Sequence, residues 1–235
     1  MKILKVKNYD ELSQMTANLI AEQVKQKPTS VLGFATGSTP IGTYEKLVQM
    51  YKNGEIDFSN VTTFNLDEYR GLNKKNPQSY HYFMTDSLFS HINLPTININ
   101  FPNGMASDIA KECNSYENKI ARAGGIDLQL LGVGQNGHIG FNEPDEVFHN
   151  KTHLVNLSDS TVHANARFFD KVAEVPTTAI TMGIGTIMSA KKIVLIAGAD
   201  KADVIEKLKS ETVSPKFPVS VLHYHPDCTV IFVSK

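Results

Sequence analysis

Short apolar runs alternate with segments of helical periodicity along most of the chain, and this alternation constrains the fold more than any other feature. Strands are predicted at 2–7, 31–36, 61–66, 97–99, 126–131, 178–182, 193–197 and 230–233. Helices are predicted at 8–27, 40–50, 77–89, 107–123 and 200–210. Strands that alternate with helices form a mostly parallel sheet. The sequence therefore predicts a three-layer α/β/α fold, Rossmann-like, with helices on both faces of the sheet.

The length of 235 residues suits one α/β domain, and we interpret 1–235 as a single unit. We find no internal repeat, low-complexity tract or clear linker. Between 145 and 170 the periodicity weakens, so we expect a mobile lid with short elements there.

Composition excludes several classes of function. The net charge of −1 gives no global field that would attract nucleic acid or an anionic membrane. No apolar run approaches the roughly 20 residues of a membrane span, and residues 1–7 are too short for a signal-peptide core. The two cysteines, Cys113 and Cys228, offer neither a disulfide framework nor paired metal spacing, which favours the reducing cytoplasm.

A glycine-rich stretch at 132–144 follows the strand predicted at 126–131. Its four glycines in nine residues let the backbone turn tightly and approach a small ligand. His138 and Glu143 lie inside it, and a carboxylate beside a histidine fixes the tautomer of the ring and raises its basicity. The spacing also matches a dinucleotide fingerprint, but 138–144 reads His-Ile-Gly-Phe-Asn-Glu-Pro, a poor helix opening. We therefore reject a nicotinamide or flavin site.

The Thr-Gly-Ser-Thr-Pro stretch at 36–40 lies between a strand and a helix. Gly37 permits a tight turn, Ser38 and Thr39 can cap the helix, and Pro40 suits its first position. Such a helix start offers N–H groups and a positive dipole end to an anion. A well-capped helix without a ligand is an equally good interpretation of this motif.

Two positively charged residues, Lys201 and Arg167, are candidates for binding an anion. Lys201 lies in the first turn of a helix, where it opposes the helix dipole unless it faces an anion, and Asp200 is the expected N-cap. Arg167 precedes two phenylalanines, so its stem could pack on them or its guanidinium could clamp a phosphate.

Asp67 and Glu68 directly follow the strand predicted at 61–66. In an extended chain their side chains point to opposite sides, so they cannot share a proton. One could act in a cleft while the other holds the loop, or both could be solvated. His223 and His225 share a strand face, but no other ligand cluster lies near them in the sequence, so we predict a structural role and no metal site.

Taken together, these segments resemble the glucosamine-6-phosphate deaminases of the glucosamine-6-phosphate isomerase family. The resemblance covers essentially the whole chain and keeps the order of the motifs. The run Gly-His-Ile-Gly-Phe-Asn-Glu-Pro at 137–144 is highly specific, whereas the 36–40 loop occurs in a wider superfamily. The other matching motifs are Leu-Asp-Glu-Tyr at 66–69, Arg-Phe-Phe at 167–169 and Gly-Ala-Asp-Lys at 198–201.

The resemblance implies that Asp67 moves a proton between C2 and C1 of the sugar and that His138, backed by Glu143, opens the ring. It also implies that no cofactor is needed. One position departs from part of the family, because Asn136 stands where some members carry an aspartate. The residues it assigns to the phosphate of the substrate are Gly37, Ser38, Thr39, Arg167 and Lys201.

Two alternatives remain: a 6-phosphogluconolactonase-like hydrolase, and a sugar-phosphate-sensing regulatory domain. Longer deaminases bind N-acetylglucosamine 6-phosphate between subunits of a hexamer. The corresponding positions here, Glu146, His153, Val155 and Asn156, carry no fixed positive charge, and we expect no C-terminal tail after Lys235 to complete such a site. The sequence therefore predicts the short, non-allosteric type, as a monomer or small homo-oligomer.

Overall fold

A seven-stranded parallel sheet organises the computed structural model, which describes residues 1–158, 161–162, 166, 169, 174–210 and 212–234. Its strand order is β1-β10-β9-β6-β2-β3-β5, and every neighbouring pair is parallel. These strands are β1 (Lys2–Val6), β2 (Val31–Phe34), β3 (Thr62–Asn65), β5 (Ile99–Asn100), β6 (Leu128–Leu131), β9 (Lys192–Ala197) and β10 (Cys228–Val233).

Helices cover both faces of this sheet, as the alternation predicts. The α-helices whose whole extent the structure describes are α1 (Tyr9–Gln26), α2 (Ile41–Lys52), α3 (Tyr80–Ser87), α4 (Ile109–Arg122), α5 (Ile184–Met188) and α6 (Ala202–Ser210). Apolar side chains of α1, α2 and α3 join one core cluster, represented by Leu12, Leu47 and Met84. Those of α4 and α6 join a second cluster, represented by Ile120 and Leu208. The two clusters confirm the three-layer α/β/α fold.

A second sheet of three antiparallel strands stands beside the first, and the sequence did not predict it. It contains β4 (Asp67–Tyr69), β8 (Thr178–Thr181) and β7 (His153–Asn156), in the order β4-β8-β7. The run at 178–182 is a strand as predicted, but it pairs with β4 and β7. Only Leu66 separates β3 from β4, so the chain passes directly from one sheet to the other.

Three boundary predictions were wrong. Pro40 is the N-cap of α2, not its first residue, and no hydroxyl of Ser38 or Thr39 caps that helix. Residues Thr96–Asn98 form a 3₁₀ turn, and β5 follows it. Asp200 is not an N-cap, because a 3₁₀ turn at Ala199–Lys201 precedes α6.

The region predicted as a lid, 145–170, contains β7, and 159–160, 163–165, 167–168 and 170 fall outside the described residues. Its mobility and the single-domain interpretation of 1–235 stay predictions. In the part of the chain that the structure describes, no helix has the length and apolar character to cross a membrane.

Candidate active site

Four of the predicted motifs follow four strands that are neighbours in the main sheet. In the order β9-β6-β2-β3, the strands lead into the Lys201 turn, the glycine-rich stretch, the 36–40 loop and Asp67. All four strands are parallel, so their carboxyl ends meet at one edge, where open α/β sheets bind their ligands. The fold therefore gathers these motifs at a single site.

Asp67 is the first residue of β4, directly opposite Thr181 of β8. Its side chain is buried, and among the described residues no group donates a hydrogen bond to its carboxylate. Burial, and then the negative charge of Glu68, raise the pKa of Asp67 to about 8. A carboxyl with such a pKa exchanges protons near neutral pH, which suits a group that removes a proton and returns it.

Glu68 points away from Asp67 and holds the backbone. Its Oε1 accepts hydrogen bonds from the N–H groups of Tyr69 and Tyr80, and its Oε2 accepts one from His81, all at 2.9 Å. Two of these donors open α3, so a buried carboxylate fastens that helix to β4. Burial raises the pKa of Glu68 above its ordinary value, although the three hydrogen bonds oppose this effect.

Asn136 stands between His138 and Glu143. Its Nδ2 lies 2.6 Å from Glu143 Oε2, and its Oδ1 lies 2.8 Å from His138 Nδ1. An ionised carboxylate only accepts hydrogen bonds, so the amide N–H must face Glu143 and the amide oxygen must face the ring. His138 therefore carries a hydrogen on Nδ1, and in the neutral ring Nε2 holds the available lone pair.

Glu143 remains charged despite its partial burial. Burial raises its pKa, but hydrogen bonds and charge from His138, with hydrogen bonds from Thr161 and Asn136, outweigh that effect and lower it to about 2. Its Oε2 lies 3.5 Å from His138 Nδ1, and Ser158 and Thr161 both donate hydroxyl hydrogen bonds to Oε1. The sequence predicted one acid behind His138. The structure keeps that acid and inserts the amide of Asn136 between the two.

Two glycines explain why the 132–144 stretch approaches its neighbours so closely. A Cβ on Gly134 would lie 2.2 Å from the His138 ring. A Cβ on Gly140 would lie 2.9 Å from Thr181 Oγ1 and 3.6 Å from Asp67 Oδ2. The stretch thus passes beside Asp67 while it carries His138, and a hydrogen bond from Phe141 N to Thr181 Oγ1 (3.1 Å) fixes it against β8.

The 36–40 loop has the properties of an anion site. Gly37 has a φ of 103°, which favours glycine, and α2 begins at Ile41. The backbone N–H groups of Ser38, Thr39 and Ile41 donate to no partner in the described parts of the chain. Unpaired N–H groups at the positive end of a helix dipole are suited to bind a phosphate.

Lys201 closes the 3₁₀ turn after β9. Its side chain is 19% exposed, and its Nζ lies 2.5 Å from Asp200 Oδ2. Gln135 Nε2 lies 3.3 Å from the Asp200 carbonyl, so this turn contacts the glycine-rich stretch. The prediction for Arg167 falls outside the described residues, and its role stays a prediction.

Several neighbours of the site escaped the sequence interpretation. Tyr69, Tyr80 and Phe141 form an aromatic cluster, in which the Tyr69 and Tyr80 ring centroids are 4.7 Å apart. The hydroxyls of Ser158 and Thr161 on Glu143 were also missed. Isolated aromatic and hydroxyl residues carry no periodic signal, so only the tertiary structure reveals them.

Each of the two histidines near the last strand contacts a backbone carbonyl, which agrees with the predicted structural role. His223 Nε2 lies 2.8 Å from the Leu208 carbonyl, and His225 Nε2 lies 2.8 Å from the Ala190 carbonyl. The residues that the structure describes include no group of three or more His, Cys, Asp or Glu side chains with metal-binding geometry. A cleft of about 440 Å³ near Pro28, Tyr51 and Asn60 lies at the amino ends of the strands, away from the motifs.

Comparisons with known proteins agree with this geometry. A family model described as glucosamine-6-phosphate isomerases/6-phosphogluconolactonase matches residues 6–231. The glucosamine-6-phosphate deaminase of Thermoanaerobacter pseudethanolicus is 56% identical over 232 residues, which cover 98% of this chain and 92% of that protein. The glucosamine-6-phosphate deaminase of Lachnoclostridium phytofermentans is 57% identical and covered to 98% on both sides. A solved structure of a monomeric glucosamine-6-phosphate deaminase superposes with a TM-score of 0.97 at 46% identity, covering 99% of this chain and 97% of that one.

Proposed function

The chain belongs to the family of glucosamine-6-phosphate isomerases and 6-phosphogluconolactonases, and from this premise we propose that it catalyses the deamination of glucosamine 6-phosphate. Glucosamine 6-phosphate and water become fructose 6-phosphate and ammonia. The observation that carries the proposal is the buried Asp67 carboxylate, which has no partner in the described structure and lies beside the stretch that bears His138.

Ring opening comes first. The lone pair on His138 Nε2 takes the proton from the C1 hydroxyl of the sugar. The imidazole then gives a proton to the oxygen of the sugar ring, which leaves the open-chain aldehyde. The positive charge that appears on the imidazole is stabilised by Glu143, both through the Asn136 amide and across 3.5 Å of space. Because Asn136 keeps a hydrogen on Nδ1, Nε2 is the nitrogen that accepts and returns the proton.

Proton transfer follows. The carbonyl at C1 and the amino group at C2 acidify the hydrogen on C2. Asp67 removes this proton while the carbonyl oxygen takes a proton from water, which gives an enolamine. Asp67 then returns its proton to C1, and the nitrogen releases one proton to water. The product is a ketimine at C2, which water hydrolyses to the ketone and ammonia. A positioned general base typically contributes about 10²–10⁴-fold to the rate. The reaction needs no group beyond these side chains and water.

The phosphate is held away from the reacting carbons. The free N–H groups of Ser38, Thr39 and Ile41 supply hydrogen bonds, and Lys201 supplies positive charge. Arg167 completes this set in the proposal. Binding energy from the remote phosphate orients C2 toward Asp67.

The two alternatives are weaker on physical grounds. A sensor domain gains nothing from an unpaired buried carboxylate, because such a group destabilises the fold without contributing to ligand binding. A lactonase needs one base to activate water, but it needs no carboxylate that returns a proton to a neighbouring carbon.

One parallel assay tests the proposal. The purified chain is supplied with glucosamine 6-phosphate, with 6-phosphogluconolactone and with unphosphorylated glucosamine, while ammonia and lactone hydrolysis are measured. We expect ammonia release from the phosphorylated amino sugar and very little from glucosamine. Lactone hydrolysis without ammonia release would show a lactonase, and binding without turnover would show a sensor.

Assembly and regulation complete the proposal. The chain works as a monomer or small homo-oligomer, as the 46% identical monomeric deaminase supports. Of the positions that correspond to the effector site, Glu146 is occupied by an ion pair with Lys216. We therefore expect hyperbolic kinetics that N-acetylglucosamine 6-phosphate leaves unchanged. Rate curves can check the kinetics, and analytical ultracentrifugation can check the assembly state.

We place the reaction in the cytoplasm, in keeping with two buried free cysteines, and cell fractionation tests that location.

A further inference from the structure

Tyr9, the first residue of α1, contacts a loop some thirty residues away in the sequence. Its hydroxyl lies 3.1 Å from the carbonyl oxygen of Ser38 and 2.9 Å from that of Thr39. The N–H of Gly42 donates to the same hydroxyl at 2.8 Å. One phenol therefore connects three backbone groups of the loop between β2 and α2.

The chemistry of a hydroxyl makes this arrangement specific. A phenol has one hydrogen to donate and lone pairs that accept. Its hydrogen lies between the two carbonyls, and its lone pair takes the Gly42 N–H. In a planar trans peptide the C=O and the following N–H point in opposite directions. The Ser38 carbonyl is held toward α1, so the N–H of Thr39 points away from α1.

As a consequence, the N–H groups at the start of α2 differ in whether they have a hydrogen-bond partner. Gly42 is satisfied by Tyr9, whereas Ser38, Thr39 and Ile41 keep N–H groups without a partner in the described structure. These hydrogen bonds of the Tyr9 hydroxyl, which we call the tether, therefore leave a fixed set of N–H donors for an anion.

Packing holds the tether in place. A Cβ on Gly42 would lie 2.9 Å from the Tyr9 ring and 2.4 Å from Ser13 Oγ, so α1 and α2 touch at this point. An ion pair of 2.8 Å between Asp10 and Lys46 also joins the two helices. The start of α1 thus has a defined position against the start of α2.

We propose that Tyr9 is a positioning residue for phosphate binding: its hydroxyl fixes the 36–42 loop in the shape that presents the N–H groups of Ser38, Thr39 and Ile41. The proposal rests on the proposed function, because it assumes that this loop binds the phosphate. If the tether were purely structural, the loss of the Tyr9 hydroxyl would change the stability of the fold and nothing else. The test must therefore measure phosphate binding separately from stability.

The experiment compares Tyr9→Phe, which removes only the hydroxyl, with the matched control Tyr224→Phe. Tyr224 is 76% exposed and lies outside the proposed site. Calorimetry measures the Kd of inorganic phosphate, and steady-state assays measure KM and kcat for glucosamine 6-phosphate and kcat/KM for glucosamine. Because a neutral hydrogen bond is worth about 0.5–1.5 kcal/mol, we expect Tyr9→Phe to raise both the phosphate Kd and the KM about three- to tenfold. The kcat and the residual activity on glucosamine should stay close to those of the parent and of Tyr224→Phe.

Lys201→Ala separates this inference from the proposed function, because it removes the positive charge assigned to the phosphate. If Lys201→Ala weakens phosphate binding and Tyr9→Phe does not, the tether is structural only and the inference is wrong, while the phosphate site keeps its proposed place. If neither variant changes the phosphate Kd, the phosphate binds elsewhere and both proposals are wrong. A lower melting temperature of Tyr9→Phe with an unchanged phosphate Kd likewise overturns the inference.

Discussion

Two aspartates that are shielded from solvent lie at opposite ends of the main sheet, and the groups that contact them differ. Asp127, which precedes β6 at the amino end, is 2% exposed, and Asp67, at the carboxyl end, is 6% exposed. Asp127 accepts hydrogen bonds from Lys27 Nζ at 2.6 Å, and from Lys191 Nζ and Val31 N at 2.8 Å. Asp67 has no such partner among the described residues. The pKa of Asp127 lies below its ordinary value because those hydrogen bonds outweigh burial, whereas burial raises the pKa of Asp67 to about 8.

The comparison shows that hydrogen-bond partners can outweigh burial in setting the pKa of an acid that is shielded from solvent. Glu143 supports this conclusion from within the site, because its partners lower its pKa to about 2 even though burial opposes them. Asp127 and Glu143 are permanent charges that hold structure or stabilise a cation. Asp67 alone among the three can change its protonation state near neutral pH.

The largest expected effect is that of Asp67→Asn on turnover. The amide keeps the shape of the side chain and removes the base, so deamination should fall about 10³-fold. Binding of a phosphorylated sugar-alcohol analogue should change little. A variant that retains a substantial fraction of the parent rate would remove Asp67 from the proposed mechanism.

The same substitution should stabilise the fold, with a defined pH dependence. The folded-state pKa of Asp67 is raised, so the parent loses stability as pH rises from about 4, the unfolded value, to about 8. Asp67→Asn escapes this loss. Urea unfolding at pH 5 and pH 8 should show that the advantage of the variant is larger at pH 8, and an equal or reversed difference would contradict the environment assigned to Asp67.

Asn136→Leu should have the next largest effect. The substitution leaves His138 Nδ1 without its acceptor and Glu143 without one donor, so the ring loses its fixed tautomer. We expect kcat/KM to fall about 10²-fold. ¹⁵N spectra of the ring should show hydrogen on Nδ1 in the parent and a mixture of tautomers in the variant. A parent spectrum with hydrogen on Nε2 would disprove the orientation of the amide.

Asp127→Asn tests the other half of the comparison. It breaks charge-assisted hydrogen bonds to two partly exposed lysines, so unfolding should become easier by about 1–3 kcal/mol at neutral pH. Because the folded-state pKa of Asp127 is lowered, this contribution exists above about pH 4 and is lost as pH falls through the folded-state value. Turnover at 25 °C should be unaffected, and a specific loss of kcat would show that the amino end takes part in catalysis.

Glu68→Gln should have the smallest effect. It removes the charge that adds to burial in raising the pKa of Asp67, so the acidic limb of the kcat/KM profile should shift to lower pH by about one unit or less. The substitution also places an amide NH2, which donates, beside backbone N–H groups that donate to the Glu68 carboxylate in the parent. The variant therefore loses some stability. A destabilised variant with an unmoved pH profile would limit Glu68 to its structural contacts.

Much of the fold could be predicted from the sequence because it depends on local periodicity. The alternation of apolar runs and amphipathic segments is enough to predict the parallel sheet and its two layers of helices. The second sheet could not be predicted, because the run at 178–182 looks the same whether it pairs with β4 or within the main sheet. Pairing partners are a property of the tertiary structure.

The site divides in the same way. The motifs name Asp67, His138 and Glu143, and the rule for carboxyl ends of parallel strands brings them to one edge. The sequence did not indicate that Asn136 stands between His138 and Glu143, or that Tyr9 reaches Ser38 across 29 positions. Hydrogen bonds between distant residues leave no pattern in a single sequence.

The most direct test of the account is a ¹³C NMR titration of the aspartate side-chain carboxyl carbons in the ligand-free protein, with Asp67 and Asp127 assigned through their Asn variants. Both residues are then measured in one sample under identical conditions. We predict that Asp67 titrates with a midpoint near 8 and that Asp127 titrates below its ordinary range. An Asp67 that titrates near the usual aspartate value of about 3.9 would contradict the claim that an unpaired, buried carboxylate is the proton-transfer group of this site.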